Sequence, residues 1–220
     1  MTKPTIAIIG GTGQQGSGLA VRFAKAGYSV ILGSRDQAKA VTTATLLNDK
    51  IGGTRIAAAD CQTAARRGDI AVLTVPFAHQ QSTAMDIADA LKGKILVDAT
   101  VPLLPADIGR VELPQGRSAV AALQAALPDI KVVAAFQNVS HVQLQDLDHD
   151  IDGDILVCGN DSTACDTVIE LISAMGMRGL HGGAIENAVA AEALTAVLIS
   201  ISRKYRTPAI GVRIVTLDTE

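Results

Sequence analysis

Short apolar runs alternate with helically spaced stretches along most of this chain. Ile6-Ala7-Ile8-Ile9 is apolar without interruption, the pattern of a short strand buried on both faces. A glycine-rich turn, Gly10 to Gly18, follows it, and Leu19–Ala24 then repeats at helical spacing until Gly27 caps the helix. Ser29–Gly33 reads as a second strand, so the first thirty-odd residues form one βαβ unit. Further on, the pattern predicts a helix from residue 40 and a break at Gly52-Gly53. A weak strand at Ile56–Ala59, a short helix at Cys61–Arg67 and a strong strand at Asp69–Pro76 follow. A helix at Gln80–Leu91 and strands at Lys94–Asp98 and Ile130–Phe136 flank a helix at Ser118–Leu127. Residues 104–116, with Pro105, Pro114 and two glycines, read as loop. Toward the carboxyl end come a strand at Ile155–Cys158, a helix at Asp161–Met175, an extended piece at Arg178–His181 and a long apolar helix at Glu186–Arg203.

Strands alternating with helices predict an α/β chain: a Rossmann-type, doubly wound, mostly parallel sheet with a smaller carboxyl-terminal α/β appendage. The expected division is residues 1–145 and 146–220. A length of 220 residues suits that size. Hydrophobic residues make up 48% but aromatics only 2%, so the core must be built of Ala, Val, Ile and Leu. The net charge of −3, without a basic run, argues against nucleic-acid binding. Cys61, Cys158 and Cys165 show no C-x-x-C spacing and read as reduced thiols. Met1–Pro4 runs directly into a strand, and the apolar run Ala188–Ile201, broken by Glu192, reads as too short for a bilayer. A cytoplasmic protein without membrane contact is expected. The apolar last helix should be buried in this chain or against a second copy, so a homodimer is expected.

The candidate chemistry lies where strands end. Gly11-x-Gly13-x-x-Gly16 sits between a strand and a helix, the context that makes this spacing a dinucleotide fingerprint. Gly11 should permit the tight turn, Gly13 the approach of a pyrophosphate, and Gly16 the packing of helix on strand. After the second strand, Ser34, Arg35 and Lys39 offer a hydroxyl and two cations for the 2′-phosphate of NADP. A helix there would put Arg35 and Lys39 on one face. Asp36 could instead take a ribose, but reads as a first-turn helix acid. Thr74, Val75, Pro76, Phe77 and His79 end a strand across the switch point from the first and should border the nicotinamide. Ala99, Val101 and Pro102 end the next strand over the same cleft. Gln137-Asn138-Val139-Ser140-His141 is a polar cluster where a second ligand would sit. The alternating Asp146, Asp148, Asp150, Asp152 and Asp154 lack the closing Glu of a calcium loop and read as a solvated turn, so no metal site is expected.

Over nearly its whole length the chain resembles the NADPH-dependent reductases of coenzyme F420, an 8-hydroxy-5-deazaflavin. The resemblance rests on Ile9-Gly10-Gly11-Thr12-Gly13 with Gly16 and Gly18, on Gly33-Ser34-Arg35 with Lys39, and on Ala71–Pro76. It extends to Val101-Pro102, Arg117-Ser118-Ala119, Val157–Asp161 and Ala193-Leu194-Thr195 through Gly211-Val212. It implies that Thr12, Ser34, Arg35 and Lys39 hold the adenosine-phosphate end of NADP. It implies further that the deazaflavin lies over the nicotinamide near Pro76, Val101, Pro102 and Val139. Archaeal members of the pattern carry a histidine and a nearby proline where this chain has Gln137 and Ser140.

Motifs and resemblance together give a cofactor-binding set that includes Gln14 and Gln15 at the helix start and Asn138 beyond the sixth strand. The expected activity is hydride transfer between NADP(H) and coenzyme F420, small-molecule redox partners that carry the reactive atoms themselves. No catalytic side chain is then required, although Asn138 could donate to the anionic deazaflavin ring. Two rivals remain: an NADP-dependent reductase of another acceptor (flavin, imine or hydroxy acid), or a non-catalytic NADP-binding sensor.

Overall fold

The computed structural model describes residues 3–104, 106–114, 117–207 and 209–216. Eight strands form one sheet. In chain order they are β1 (Ile6–Ile9), β2 (Val30–Gly33), β3 (Ile56–Ala59), β4 (Ile70–Leu73), β5 (Ile95–Asp98), β8 (Lys131–Ala134), β9 (Asp154–Gly159) and β10 (Arg178–His181). A separate pair, β6 (Leu103–Leu104) and β7 (Asp107–Val111), lies outside it. Across the sheet the order is β10-β9-β8-β5-β4-β1-β2-β3. From β3 to β8 every pairing is parallel, the doubly wound arrangement with its switch point between β1 and β4. β9 joins β8 antiparallel, and β10 continues parallel to β9. β9 and β10, which fall in the expected carboxyl-terminal appendage, thus extend the same sheet.

The uninterrupted apolar strands are explained by what covers them. In β1, Ile6 and Ile8 face one core while Ala7 and Ile9 face another. The first core is closed by α1 (Gln14–Lys25), α2 (Gln37–Ile51), α7 (His141–Gln145) and α8 (Ser162–Ala174), with Leu19, Phe23, Leu144 and Val168 buried between them. The second is closed by α3 (Cys61–Arg67), α4 (Gln80–Asp86), α5 (Ala88–Leu91), α6 (Ala119–Ala126) and the start of α9 (Ala188–Tyr205). Both faces of every central strand are therefore dry, which removes any pressure for a polar alternation.

Several expectations change. Residues 104–116 are not simply loop. Leu103–Leu104 and Asp107–Val111 pair antiparallel, and Ser200 on α9 donates to the Gly109 carbonyl at 2.7 Å. Hairpin and last helix are thus tied together. The expected helix at Gln80–Leu91 is interrupted at Ile87, where α4 ends and α5 begins. The last helix is buried only along Ala188, Ala191, Glu192 and Ala196, while Val197, Ile201 and Tyr205 stand exposed. With its preceding 3-10 turn it runs Ile185–Tyr205, 21 residues that contain an 18-residue window of mean hydropathy 1.4. By length and composition that window meets the threshold for crossing a bilayer, because the helix includes the Ile185 turn before Ala188, and part of it is buried against the fold.

Candidate functional site

The turn after β1 is shaped by Gly10, which takes φ +83, not by Gly11. Gly11 is required by packing: a Cβ there would lie 2.8 Å from Leu32 Cδ2 and 2.9 Å from the Ile8 carbonyl. Gly16 is tighter still, 2.6 Å from Thr74 Oγ1 and 2.8 Å from the Gly10 carbonyl, so α1 lies directly on the ends of β1 and β4. Gly13 differs from both. A Cβ there meets only the Gly10 carbonyl, at 3.4 Å. Gly13 is the N-cap of α1, with no side chain capping the helix and no acid in its first turn. Free amides and a positive helix end face open space, the physical requirement for a phosphate.

Beyond this turn lies a cleft in two lobes along the carboxyl ends of the strands. The first, about 480 Å³, is lined by Thr12, Gly13, Ser34, Arg35, Asp36, Lys39 and Cys61, and closes against Thr74, Val75, Pro76 and His79. α2 begins only at Gln37, so Arg35 precedes the helix and the two cations converge through the turn, not along a helical face. Asp36 is not within the first turn of α2 but at its N-cap. Its Oδ1 accepts the Lys39 amide at 3.0 Å, and its own amide donates to Ser34 Oγ at 3.1 Å. One carboxylate oxygen is thereby engaged in capping α2, while Asp36 still lines the lobe. Arg35 and Lys39 form no ion pair among the described residues. Burial pushes the Cys61 thiol up, and that wall of the lobe is neutral.

The second lobe, about 670 Å³, shares Gly13, Thr74, Val75 and Pro76 with the first. Gln14, Gln15, Phe77, Ala99, Val101, Asn138 and Val139 line it, as do Leu198, Ile199 and Ile210. Phe136 holds φ +74, a strained conformation for a bulky residue, at the end of β8 where the chain turns into the lobe. Gln15 Nε2 reaches the Phe136 and Val139 carbonyls at 3.3 and 3.4 Å, fastening the start of α1 to that turn. Asn138 does not offer its amide to the lobe: Nδ2 donates to the Ala191 carbonyl at 2.8 Å and to Thr195 Oγ1 at 3.2 Å. Pro102 is buried, and like Gly11 and Gly16 it supports the cleft without lining it.

Two carboxyl groups lie beneath this lobe. Asp98, at the end of β5, is fully buried; Oδ1 accepts the Thr100 amide at 2.9 Å and Oδ2 the Gln80 side-chain amide at 2.5 Å. Burial pushes its carboxyl up to about 6, against the pull of those two donors. Glu192, on α9, caps α6 by accepting Ser118 Oγ at 2.6 Å and the Ala119 amide at 2.8 Å; burial raises it as well. Thr100 Oγ1 and Gln137 Oε1 are buried without a hydrogen-bond partner among the described residues.

The structure therefore brings together Thr12, Gly13, Ser34, Arg35, Lys39, Thr74, Val75, Pro76 and His79 in one lobe and the residues expected after β5 and β8 in the other. Sequence reasoning missed Leu198 and Ile199, with Thr195 and Ser202, although positions 195, 198, 199 and 202 share one helical face. It missed Ile210 and the hairpin residue Ile108, which no local pattern marks.

A doubly wound sheet, an uncapped glycine turn at its switch point and a phosphate lobe opening into an apolar one define a Rossmann-type NADP-dependent oxidoreductase. Residues 5–102 match the family model described as NADP oxidoreductase, coenzyme F420-dependent. The F420-dependent NADP reductase of Methanocaldococcus jannaschii is 40% identical over 97% of this chain and 99% of its own length. That of Methanothermobacter marburgensis is 38% identical over 96% of this chain and 98% of its own length. A crystal structure from Arthrobacter sp. FB24, provisionally described as an F420-dependent NADP reductase, superposes with a TM-score of 0.84 at 25% identity. The match covers 97% of this chain and all of that one. The chain belongs to the F420-dependent NADP reductase family.

Proposed function

We propose that this cleft transfers a hydride between NADP(H) and coenzyme F420. The observation that carries the reading is the junction of the lobes: a pocket bearing Arg35 and Lys39 and an apolar one meet over Thr74, Val75 and Pro76, with no carboxylate among the described residues lining the second lobe. The site fits NADP, because the one fingerprint glycine whose Cβ would find room is the one facing the cleft. When bound, the two cofactors supply the chemistry, a hydride leaving one ring carbon (C4 of the nicotinamide) for another (C5 of the deazaflavin) or returning.

The chain's own residues bind, orient and keep the site dry. Gly13 and the first amides of α1 hold the pyrophosphate. Thr12, Ser34, Arg35 and Lys39 hold the adenosine 2′-phosphate, with Arg35 presenting the planar fork of donors that suits it. Val75 and Pro76 support the nicotinamide, and His79 closes the edge of that lobe. Phe77, Ala99, Val101 and Val139, with Leu198 and Ile199, form the apolar walls that stack the second ring and exclude water. Gln14 and Gln15 brace the turn between the lobes. No side chain moves a proton in the transfer.

Two assignments go with this reading. The exposed apolar positions Val197, Ile201 and Tyr205 on α9, beside exposed Val111 on β7, support a homodimer through the last helix. Three free cysteines support a reducing, cytoplasmic setting.

Mixing the protein with NADPH and oxidised coenzyme F420 should bleach the deazaflavin absorbance. A protein that binds both cofactors and leaves that absorbance unchanged would refute the assignment.

A further inference from the structure

Three of the segments that wall the ring lobe are strand exits: residues 74–77 after β4, residues 99–103 after β5 and residues 136–139 after β8. Each is an exit from a different strand, and the parallel ladder sets their spacing only as far as Thr74, Ala99 and Ala135, whose amides still donate to the neighbouring strand's Ile9, Leu73 and Asp98 carbonyls. One residue touches all three. Asp98 accepts Gln80 Nε2 at 2.5 Å, at the first position of α4 directly after the Phe77–His79 turn. Its other carboxyl oxygen accepts the Thr100 amide at 2.9 Å, which shapes the turn after β5. Its main-chain carbonyl accepts Gln137 Nε2 at 2.8 Å and the Ala135 amide at 3.2 Å, which ties down the turn after β8. Asp98 is 0% exposed and Gln80 4%, so neither reaches a ligand. A buried carboxyl group is costly, and a leucine or asparagine at the end of β5 would fill the same space without it.

We propose that the Asp98 carboxylate is a positioning group for hydride transfer, keying the walls after β4 and β5 through Gln80 and the Thr100 amide against the turn after β8, which its main-chain carbonyl holds through Gln137, so that the two cofactor rings meet at reactive distance. The inference rests on the hydride-transfer reading above. Transfer requires the reacting atoms within about 3–3.5 Å, and a displacement of the order of 1 Å costs about a hundredfold. The lobe is where a small shift of one wall does most harm to rate and least to affinity, because the phosphate lobe anchors NADP independently.

The ionised form of Asp98 suits this role. Both side-chain oxygens face N–H donors, and a proton on Oδ2 would oppose the Gln80 amide. Of the charged groups packed around it, Glu192 across α6 and α9 acts on it, and the remaining neighbours Gln80, Thr100 and Gln137 are neutral. The transfer rate should therefore fall as pH drops through about 6.

The test compares wild type with Asp98→Ala, Asp98→Asn and Gln80→Met, following single-turnover bleaching of coenzyme F420 by NADPH and binding of each cofactor alone. Asp98→Ala should slow transfer about 10- to 100-fold, with dissociation constants for NADP and coenzyme F420 within about threefold of wild type. Asn accepts the Thr100 amide and, with the Gln80 amide turned over, the second bond too. It should restore most of the rate and abolish the acid limb. Gln80→Met removes one leg of the anchor and remains informative if Asp98→Ala does not fold; it should slow transfer about tenfold. Folded Gln80→Met at the wild-type rate, affinity losses as large as the rate losses, or an unchanged acid limb in Asp98→Asn would each overturn the proposal. A wild type that binds both cofactors without transfer would instead overturn the functional reading, and this inference with it.

Discussion

The two lobes of the cleft solve their binding problems by different means. The phosphate lobe takes its charged and glycine-bearing wall from two short stretches, Gly10 to Gly13 and Ser34 to Lys39, with Cys61, Thr74 to Pro76, His79 and Thr83 closing it, and it opens on an N-cap that no side chain fills. The ring lobe is assembled from many separated stretches, including the three strand exits, one face of α9 and Ile210 beyond it. The first lobe needs only a local conformation, which glycine permits and a short sequence can dictate. The second needs a sheet to deliver its walls and a buried polar node to space them. Charge and backbone therefore dominate affinity in one lobe, while packing dominates reactivity in the other.

That contrast can be broken most severely at Gly13. Gly13→Val should leave the fold intact, since its Cβ meets only the Gly10 carbonyl at 3.4 Å, yet fill the phosphate cradle; NADP binding should weaken about a thousandfold (~4 kcal/mol). Calorimetric titration beside a thermal melt separates the two effects, and a large loss of melting temperature would show that Gly13 serves packing as Gly16 does.

The next effect belongs to the ring lobe and runs with pH. Asp98 is raised from an ordinary carboxylate value to about 6, so the folded state binds its proton more tightly than the unfolded state does. Its contribution is fully present below about pH 4 and is lost as pH rises through 6, amounting to ~3 kcal/mol. Glu192, also raised, acts in the same direction. Asp154 is lowered by its ion pair with Arg178 and opposes them, its stabilisation being lost as pH falls. The clean measurement is thus the difference between Asp98→Asn and wild type in urea unfolding at pH 4.5 and 7.5. The variant should gain relative stability at the higher pH.

In the phosphate lobe, Arg35→Ala should raise the dissociation constant for NADPH about thirtyfold (~2 kcal/mol) and leave NADH unchanged. Equal losses for the two nucleotides would move Arg35 off the 2′-phosphate. The smallest effect tests Asp36. As an N-cap it should cost about 1 kcal/mol of stability when replaced by Ala, with NADH binding unaffected. A drop in NADH affinity would instead make it a ribose ligand.

The phosphate lobe was legible because its information is local. A strand, a glycine spacing and a helix within eighteen residues leave little choice of conformation, although the sequence could not tell that Gly10 makes the turn while Gly11 and Gly16 serve packing. Strands β1, β2, β4, β5 and β8 were legible for a related reason: burial on both faces leaves continuous apolar runs. Much of the rest was not. The hairpin at residues 103–111 carries proline and glycine and is held by α9, a contact no local pattern announces. Asn138 reads as a free donor until α9 takes its amide.

By itself the sequence determined the doubly wound core, the phosphate turn and the cations of the adenosine end, because each follows from residues a few positions apart and from the periodicity of buried strands. Only the tertiary structure decided that β9 turns antiparallel onto β8 and that one face of α9 walls the second lobe. It alone made Asp98, ordinary at the end of a strand pattern, the meeting point of three strand exits. Those facts depend on which surfaces meet across long stretches of chain. Such meetings are set by the packing of the whole sheet, which no single segment encodes.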